Sequence, residues 1–224
     1  MKSNLFLCLL FACQFAWADD FKDLYIVGNG QTYYMKSQDS MDATVSIYTA
    51  SVESNSLNIE YYIQSQNSFL KQELWQQFKL EKGSTGPLKL TEGYILSDNM
   101  TKPEKMESKH LKGADGVQMT DFLFGSFDEI NKHLINTEEV EVPAGKVKAN
   151  RYKISNNGQN VEFWISTDSK PLTLLKLIST GKKKHHNYTL MLETLIKNVK
   201  PKIKPSEAVA LSKATRKILE TSLK

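Results

Sequence analysis

Histidines are the side chains of this sequence best suited to bind a metal ion or to transfer a proton. The chain has four of them, His110, His133, His185 and His186. A metal site needs His, Cys or carboxylate groups that converge on one point, whereas adjacent residues such as His185 and His186 point to opposite sides of a strand. Lysines at 182–184 precede this pair, and their charge opposes a bound cation. We therefore predict no metal site and no cofactor.

Motifs for nucleophilic or phosphate chemistry are also missing. No serine lies in a Gly-x-Ser-x-Gly elbow. Neither the P-loop pattern Gly-x-x-x-x-Gly-Lys-Ser/Thr nor the dinucleotide-binding pattern Gly-x-Gly-x-x-Gly occurs. Residues 83–86 (Gly-Ser-Thr-Gly) are interpreted as a turn, and the paired acids Glu138 and Glu139 as solvated charge at the end of a segment. Nothing indicates a general acid–base pair. The sequence predicts that the protein is not an enzyme and has no catalytic residue.

Aromatic side chains give a stronger indication of a binding site. A sheet with one dry face must either pack its own core or enclose a ligand, and large aromatic groups suit both roles. Ordinary core packing is therefore the competing interpretation for each of them. The candidates for lining an apolar cavity are Trp75, Phe78, Tyr94, Phe122, Phe124, Phe127 and Trp164.

Alternation with a period of two predicts the strands that would position these groups. Apolar side chains at Leu57, Ile59, Tyr61 and Ile63 alternate with polar ones, which is typical of a half-buried strand. Residues 43–52 show the same period, and the turn between the two segments predicts a hairpin. In the C-terminal half the predicted strands are 138–142, 146–155, 161–166, 172–179 and 188–197. Short turns join them, which indicates an antiparallel meander.

Three segments have features of helices. Residues 68–80 place Leu70, Leu74 and Phe78 at a spacing of four, although a strand would also accommodate the last residues. Residues 127–134 follow a capping box formed by Ser126 and Glu129. Residues 205–223 begin with a proline and carry a narrow apolar stripe beside a basic face.

The first eighteen residues are predicted to be a secretory signal peptide. A short basic start precedes an apolar run to residue 15, and Ala16 and Ala18 provide small residues before a cleavage point. The apolar run of roughly 11 residues is too short to cross a bilayer core. The alternative is a lipobox that would make Cys13 an acylated first residue and anchor the protein to a membrane. Both cysteines, Cys8 and Cys13, lie in this leader, so the remaining chain has no disulfide framework.

Charge gives little indication of a partner. The formal net charge of +4 is too small to indicate nucleic acid, which we exclude. The basic turn at 182–184 and the basic C-terminal helix could contact anionic headgroups. Alternatively, these lysines keep a hairpin tip soluble and block pairing at a strand edge.

The C-terminal meander resembles a known family. Residues 139–147 (Glu-Val-Glu-Val-Pro-Ala-Gly-Lys-Val), 161–166 (Val-Glu-Phe-Trp-Ile-Ser) and the Lys-Pro-Leu at 170–172 carry the likeness, which spans roughly residues 137–180. They are similar to the lipoprotein-carrier-like superfamily, the half-barrel class of the LolA and LolB proteins. The resemblance implies a curved antiparallel sheet around helices, with an apolar cavity that holds acyl chains in some members. It implies no catalytic residues.

Together these observations predict an α+β fold, namely a strongly curved antiparallel half-barrel of about ten strands with two or three helices on its concave side or rim. We expect a cleaved leader at 1–18, a half-barrel domain at 19–199, and a basic linker with an amphipathic helix at 200–224. The predicted function is a non-catalytic, monomeric, periplasmic or secreted binding protein for a lipid or another apolar ligand. A membrane surface or an envelope protein is an expected partner. The alternative is an envelope assembly factor that docks a partner through its C-terminal helix.

Overall fold

Alternating apolar and polar residues form the β-strands that make up most of the described part of this chain. The computed structural model describes residue 22 and residues 25–38, 42–65, 73–82, 89–111, 130–156, 158–167, 173–182 and 184–222. The strands are β1 Gly30–Ser37, β2 Ala43–Val52, β3 Ser56–Ser65, β4 Glu73–Glu81, β5 Lys89–Ser97, β6 Glu104–Lys105, β7 Leu134–Val142, β8 Gly145–Asn156, β9 Gln159–Ser166, β10 Leu174–Gly181, β11 Tyr188–Ile196 and β12 Val209–Ala210.

One sheet contains all twelve strands, in the order β12-β6-β5-β4-β3-β2-β1-β11-β10-β9-β8-β7. It consists of two antiparallel meanders, β1 to β6 and β7 to β11. The two meanders meet where β1 pairs with β11. At the far edge β12 runs parallel to β6, so the sheet is mixed. Strand β1 is therefore the seam between the two halves of the sheet.

The register gives the sheet an apolar face and a polar face. Because successive side chains point to opposite faces, neighbouring rows across the strands differ sharply in chemistry. A buried row that we call the apolar face runs through Tyr152, Phe163, Leu177, Leu190, Met35 and Ala43. The adjacent row, on what we call the polar face, runs through Arg151, Trp164, Lys176, Met191, Tyr34 and Thr44.

The sheet coils at its β7 end. In a flat sheet β7 would lie about 14 Å from β10, three positions away. Instead, Cα atoms of β7 come within 8 Å of Cα atoms in β10 and in β11. The core cluster accordingly includes Val140 and Val142 of β7 as well as the apolar face. Coiling of this kind helps to bury the apolar face.

The predicted α+β class with two or three helices is wrong. The regular structure of the described residues is nearly all β, in one sheet that is not closed; apart from the helical residues Ile130 and Asn131, it contains one short α-helix, α1, at Lys213–Ser222. The predicted helix at 68–80 fails because residues 73–81 form β4. A spacing of four satisfies a period of two as well as a helical period, and Leu80 then continues the strand pattern. The remaining residues of that segment, 68–72, lie outside the described part.

Of the other two predicted helices, one ends earlier and one begins later than the sequence predicts. Residues 127–129 lie outside the described part; Ile130 and Asn131 are helical, but Leu134 already belongs to β7. Residues 205–207 form a 3₁₀ turn and residues 209–210 form β12. Helix α1 begins only after Ser212, whose hydroxyl accepts a hydrogen bond from the amide of Thr215 at 3.2 Å. This is the usual role of an N-cap serine.

Candidate functional site

The apolar face is the most extensive candidate for a binding surface. Its side chains come from strands on both sides of the seam, and the row described above is buried throughout. Among the described residues, buried apolar groups outside the strands join the same cluster at Tyr25, Met106, Ile130, Leu211 and Leu219. Helix α1 and its preceding residues supply two of these five. These residues are part of the cover that buries the apolar face.

The aromatic residues predicted to line a cavity are divided between the two faces. Phe78 lies on the apolar face, where its ring meets that of Tyr61 edge-on at 5.7 Å between centroids. Trp75 and Tyr94 lie on the polar face, in a small separate cluster with Ile203. Trp164 also belongs to the polar row, whereas Phe122, Phe124 and Phe127 lie outside the described residues. The four described aromatics thus do not line a common wall.

A buried carboxylate on the polar face holds the C-terminal linker, residues 200–204. The Glu60 side chain is 0% exposed. One of its oxygens accepts hydrogen bonds from the Tyr48 hydroxyl at 2.6 Å and the Lys202 backbone amide at 2.7 Å. The other oxygen accepts from the Gln77 side-chain amide at 2.9 Å and the Ile203 backbone amide at 3.0 Å. We call this arrangement the Glu60 clamp.

The Glu60 clamp relies on hydrogen bonds instead of a counter-cation. No salt bridge to Glu60 occurs within the described ranges. Buried carboxylates are costly unless several donors stabilise them. Burial, together with the hydrogen bond donated to Glu60, raises the pKa of the Tyr48 phenol far above its usual range, so Tyr48 remains a donor. The clamp is suited to holding the linker in place and offers no reactive group to solvent.

A second cluster surrounds Trp164 on the polar face. The Arg151 guanidinium lies 5.2 Å and the Lys176 amine 5.1 Å from the indole centroid, within the range of cation–π contacts. The indole N–H donates to Glu138 at 2.6 Å. This hydrogen bond is the main cause that lowers the pKa of the Glu138 carboxyl. Arg151 is also paired with Glu162 at 2.5 Å. Most polar groups of this cluster therefore already have partners within the protein.

A buried histidine lies where the loop after β6 meets helix α1. The His110 side chain is 1% exposed, and neither ring nitrogen has a hydrogen-bond partner. Ion pairs cover it: Lys109 lies 2.7 Å from Glu220, and Arg216 lies 2.5 Å from Glu107. Burial is the main cause that lowers the pKa of the imidazole, and repulsion from Lys109 is the second. Repulsion from Arg216 adds to this effect, whereas the carboxylates of Glu107 and Glu220 oppose it.

Acidification is expected to weaken the docking of α1 through His110. Because the pKa is lowered on folding, the unfolded chain takes up a proton first as the pH falls below about 6.5, the ordinary value for histidine. The stability is therefore full above that pH and is lost as the pH falls through the pKa of the folded state. Urea unfolding between pH 7 and pH 5 measures this loss, and His110→Leu should reduce it. His133→Gln is the control and should leave the pH dependence unchanged; if His110→Leu keeps the full wild-type pH dependence, this assignment is wrong.

Within the described residues the structure supports neither a metal centre nor a membrane-crossing helix. No group of three or more His, Cys, Asp or Glu side chains is placed to hold a metal ion in that part of the chain. None of its helices has both the length and the apolar character that a membrane crossing requires. The predicted leader at 1–18 lies outside the described residues.

Sequence reasoning missed Glu60 and His110, two buried polar residues that lie against the C-terminal segment. Glu60 occupies a polar position of an alternating strand, and nothing local distinguishes it from an exposed glutamate. His110 lies in a polar loop and carries no motif. One available indication was the pair Ile203 and Leu211, apolar residues at either end of residues 203–211, which the structure buries at 2% and 8% exposure.

Comparison with known proteins identifies no family. No family model matches the chain, and no curated protein matches it. Among solved structures, one similar chain is a protein of Parabacteroides distasonis with the provisional description of a lipoprotein. It is 10% identical, with a TM-score of 0.32, over 83% of this chain and 100% of that chain. At that TM-score the likeness supports no conclusion about fold or function. No family match supports the predicted resemblance to the LolA and LolB proteins.

Proposed function

We propose that this chain is an exported, non-catalytic binding protein that holds an acyl chain or another apolar ligand against the apolar face of its sheet. The supporting observation is the unbroken buried row from Tyr152 to Ala43, which crosses six adjacent strands. Such a row offers an elongated apolar track of about 24 Å, from five inter-strand spacings. That length suits an extended hydrocarbon chain.

The energetics favour an apolar ligand over a polar one. Burial of apolar surface contributes about 25 cal/mol per Å², and polar groups on this face are already used within the protein. The Tyr33 hydroxyl, for example, donates to the Leu174 carbonyl at 3.1 Å. A ligand that needed several hydrogen bonds would find few unused partners there. The side chains that cover this face, which include Leu211 and Leu219, would have to move aside for entry.

Export is part of the proposal and rests on the sequence. The leader at 1–18 has the layout of a signal peptide, with Cys13 as an alternative anchor point. The partner-docking alternative receives less support, because Leu211 and Leu219, the apolar residues at either end of the C-terminal helix segment, are buried against their own sheet. We therefore propose an envelope location with the apolar face as the binding surface.

Narrowing the apolar face should weaken ligand binding. Ala43→Leu adds a larger side chain between Met35 and Ser65, its partners across the sheet. We expect about a tenfold loss of affinity, equivalent to about 1.4 kcal/mol, for a fluorescent fatty acid such as cis-parinaric acid, because the added carbon atoms occupy space on the face that the ligand would use. Titration of the probe measures the affinity, and circular dichroism checks the fold.

The matched control is Thr44→Leu, which places the same side chain on the opposite face of the same strand. It should leave probe binding within about twofold of the wild type, since the probe does not contact that face. Native mass spectrometry of protein purified from its own envelope without detergent should show co-purifying lipid. Bare protein that also fails to bind the probe would overturn the proposed function.

A further inference from the structure

Three large apolar side chains are exposed near the junction of β1 and β11. Ile26 is 65% exposed, Val27 47% and Leu195 60%. Single exposed apolar residues are ordinary on protein surfaces, but a group of them marks an interaction site. We refer to these three residues as the seam corner.

Backbone hydrogen bonds place the seam corner in one region. The amide of Asn29 donates to the carbonyl of Ile26 at 3.0 Å, which closes a tight turn. The amide of Val199 donates to the carbonyl of Gly28 at 3.0 Å. Leu195 lies opposite Gln31 in the β1–β11 register. The turn that carries Ile26 and Val27 is therefore held against the end of β11 and the residues after it.

Two lysines lie beside this apolar group. Lys197 and Lys200 are exposed and flank Val199, the residue that is bonded to the turn. Within the described part of the chain, no carboxylate forms a salt bridge with either amine. The seam corner thus combines apolar side chains with unpaired positive charge, the combination found on surfaces that lie at a membrane interface.

We propose that the seam corner docks on the surface of an anionic lipid bilayer. Ile26, Val27 and Leu195 insert at the level of the headgroups, and Lys197 and Lys200 pair with anionic headgroups. The chemistry of the corner supports this occupant, because the two exposed amines complement anionic headgroups and the adjoining apolar side chains suit the layer just beneath them. The inference deepens the proposed function, on which it rests, by supplying the surface from which an apolar ligand is collected or delivered.

The basic turn at 182–184 provides a competing surface on the same molecule. It joins β10, which ends at Gly181, to β11, which begins at Tyr188, whereas the seam corner lies beyond Ile196 at the other end of β11. The two surfaces are separated by the length of β11, roughly 27 Å. Substitutions can therefore test them separately.

Vesicle co-sedimentation tests the proposal. All variants carry Cys13→Ala, so that no acyl anchor forms, and are purified after export. Vesicles contain either phosphatidylcholine alone or about 30% phosphatidylglycerol, which supplies the anionic surface potential. We expect Lys197→Gln with Lys200→Gln to weaken binding to the anionic vesicles by about 25-fold, at about fivefold for each lysine. Ile26→Ser with Leu195→Ser should weaken binding by about tenfold or more.

Matched controls change the same residue types elsewhere. Lys182→Gln with Lys184→Gln alters the competing basic turn, and Leu134→Ser with Ile135→Ser alters exposed apolar residues of the edge strand β7. Both control pairs should bind anionic vesicles within about twofold of the parent. The proposal is overturned if the parent protein does not sediment with anionic vesicles. It is also overturned if a control pair weakens binding as much as the seam-corner variants do.

Failure of this inference and failure of the proposed function give different results. Native mass spectrometry of the same samples reports bound lipid independently of vesicle binding. Lipid-loaded protein that does not bind anionic vesicles overturns only the inference about the seam corner. Lipid-free protein that binds neither probe nor lipid, but still sediments with anionic vesicles through the seam corner, overturns the binding function alone.

Discussion

Replacement of Glu60 with glutamine is expected to lower the free energy of unfolding by about 3 kcal/mol and to release the C-terminal linker. Each carboxylate oxygen accepts a backbone amide of the linker, from Lys202 on one side and Ile203 on the other. The amide group of a glutamine would place a donor at one of these two positions. Whichever oxygen is replaced, one linker amide loses its acceptor and stays buried without a partner.

Limited trypsin digestion and urea unfolding together measure this effect. Lys200 and Lys204 precede prolines, which protects their peptide bonds from trypsin, so Lys202–Ile203 is the cleavable lysine bond inside the linker. In the wild type the Glu60 clamp holds this bond against the sheet. We expect trypsin to release a fragment that begins at Ile203 earlier from Glu60→Gln than from the wild type. The urea midpoint of the variant should also be lower.

Glu73→Gln is the matched control for the Glu60 clamp. Glu73 also accepts a tyrosine hydroxyl on the polar face, from Tyr62 at 2.7 Å, and burial with this bond raises the pKa of Tyr62 to about 12. No linker amide donates to the Glu73 side chain among the described residues. Its substitution should cost less than about 1 kcal/mol and leave the linker protected. Equal unfolding midpoints for the two variants would contradict the role of Glu60.

Gly30→Ala is expected to destabilise the protein by on the order of 4 kcal/mol, or to prevent folding. A Cβ at this position would lie 2.6 Å from the Cα and 2.7 Å from the Cβ of Tyr48, and in still closer contact with the carbonyl oxygen of Ile47. Backbone atoms cannot rotate aside as a side chain can. The alanine would force β1 away from β2 at the first pair of their ladder, where Gly30 lies opposite Tyr48.

The position of β1 in the sheet makes this substitution costly. Strand β1 pairs with β2 on one side and with β11 on the other, so its displacement loosens the contact between the two meanders. Separation of the meanders would expose the apolar face at its centre. We expect a strongly reduced thermal midpoint and increased binding of a hydrophobic dye at a temperature where the wild type is folded.

Gly158→Asn is the control for glycine replacement as such. Gly158 has a φ of +76°, and no atom lies within 4 Å of the point that a Cβ would occupy there. Asparagine tolerates that left-handed conformation better than most residues, so the cost should stay below about 1 kcal/mol. A Gly30→Ala variant as stable as Gly158→Asn would show that β1 can shift without loss of the seam.

Local pairings were predictable because hairpins follow from short-range patterns. The alternation in residues 57–63 and 43–52 predicted β3 and β2, and the structure pairs them through a short turn after Val52. The Pro-Ala-Gly turn at 143–145 likewise joins β7 to β8. In each case neighbouring segments need only a turn and a matching apolar face.

Helices were over-predicted because the local patterns were ambiguous. Leu74 and Phe78 fit a helix face and a strand face equally, and burial against the apolar face of the sheet decided in favour of β4. At the C-terminus the parallel pairing of Val209 with Glu104 competes with helix formation and delays α1 to Lys213. Tertiary contacts commonly override weak local propensity in this way.

The sequence by itself determined the strand content, the two-sided chemistry of the strands and the absence of recognisable catalytic motifs, because these depend on residue type and on a period of two. Only the tertiary structure decided the pairing of β1 with β11, the capture of the linker by Glu60 and the burial of His110 under α1. These contacts join residues far apart in the chain, as with Glu60 and Ile203. Short-range patterns carry no record of which distant partner will neutralise a buried polar group, because that choice depends on how the whole sheet coils.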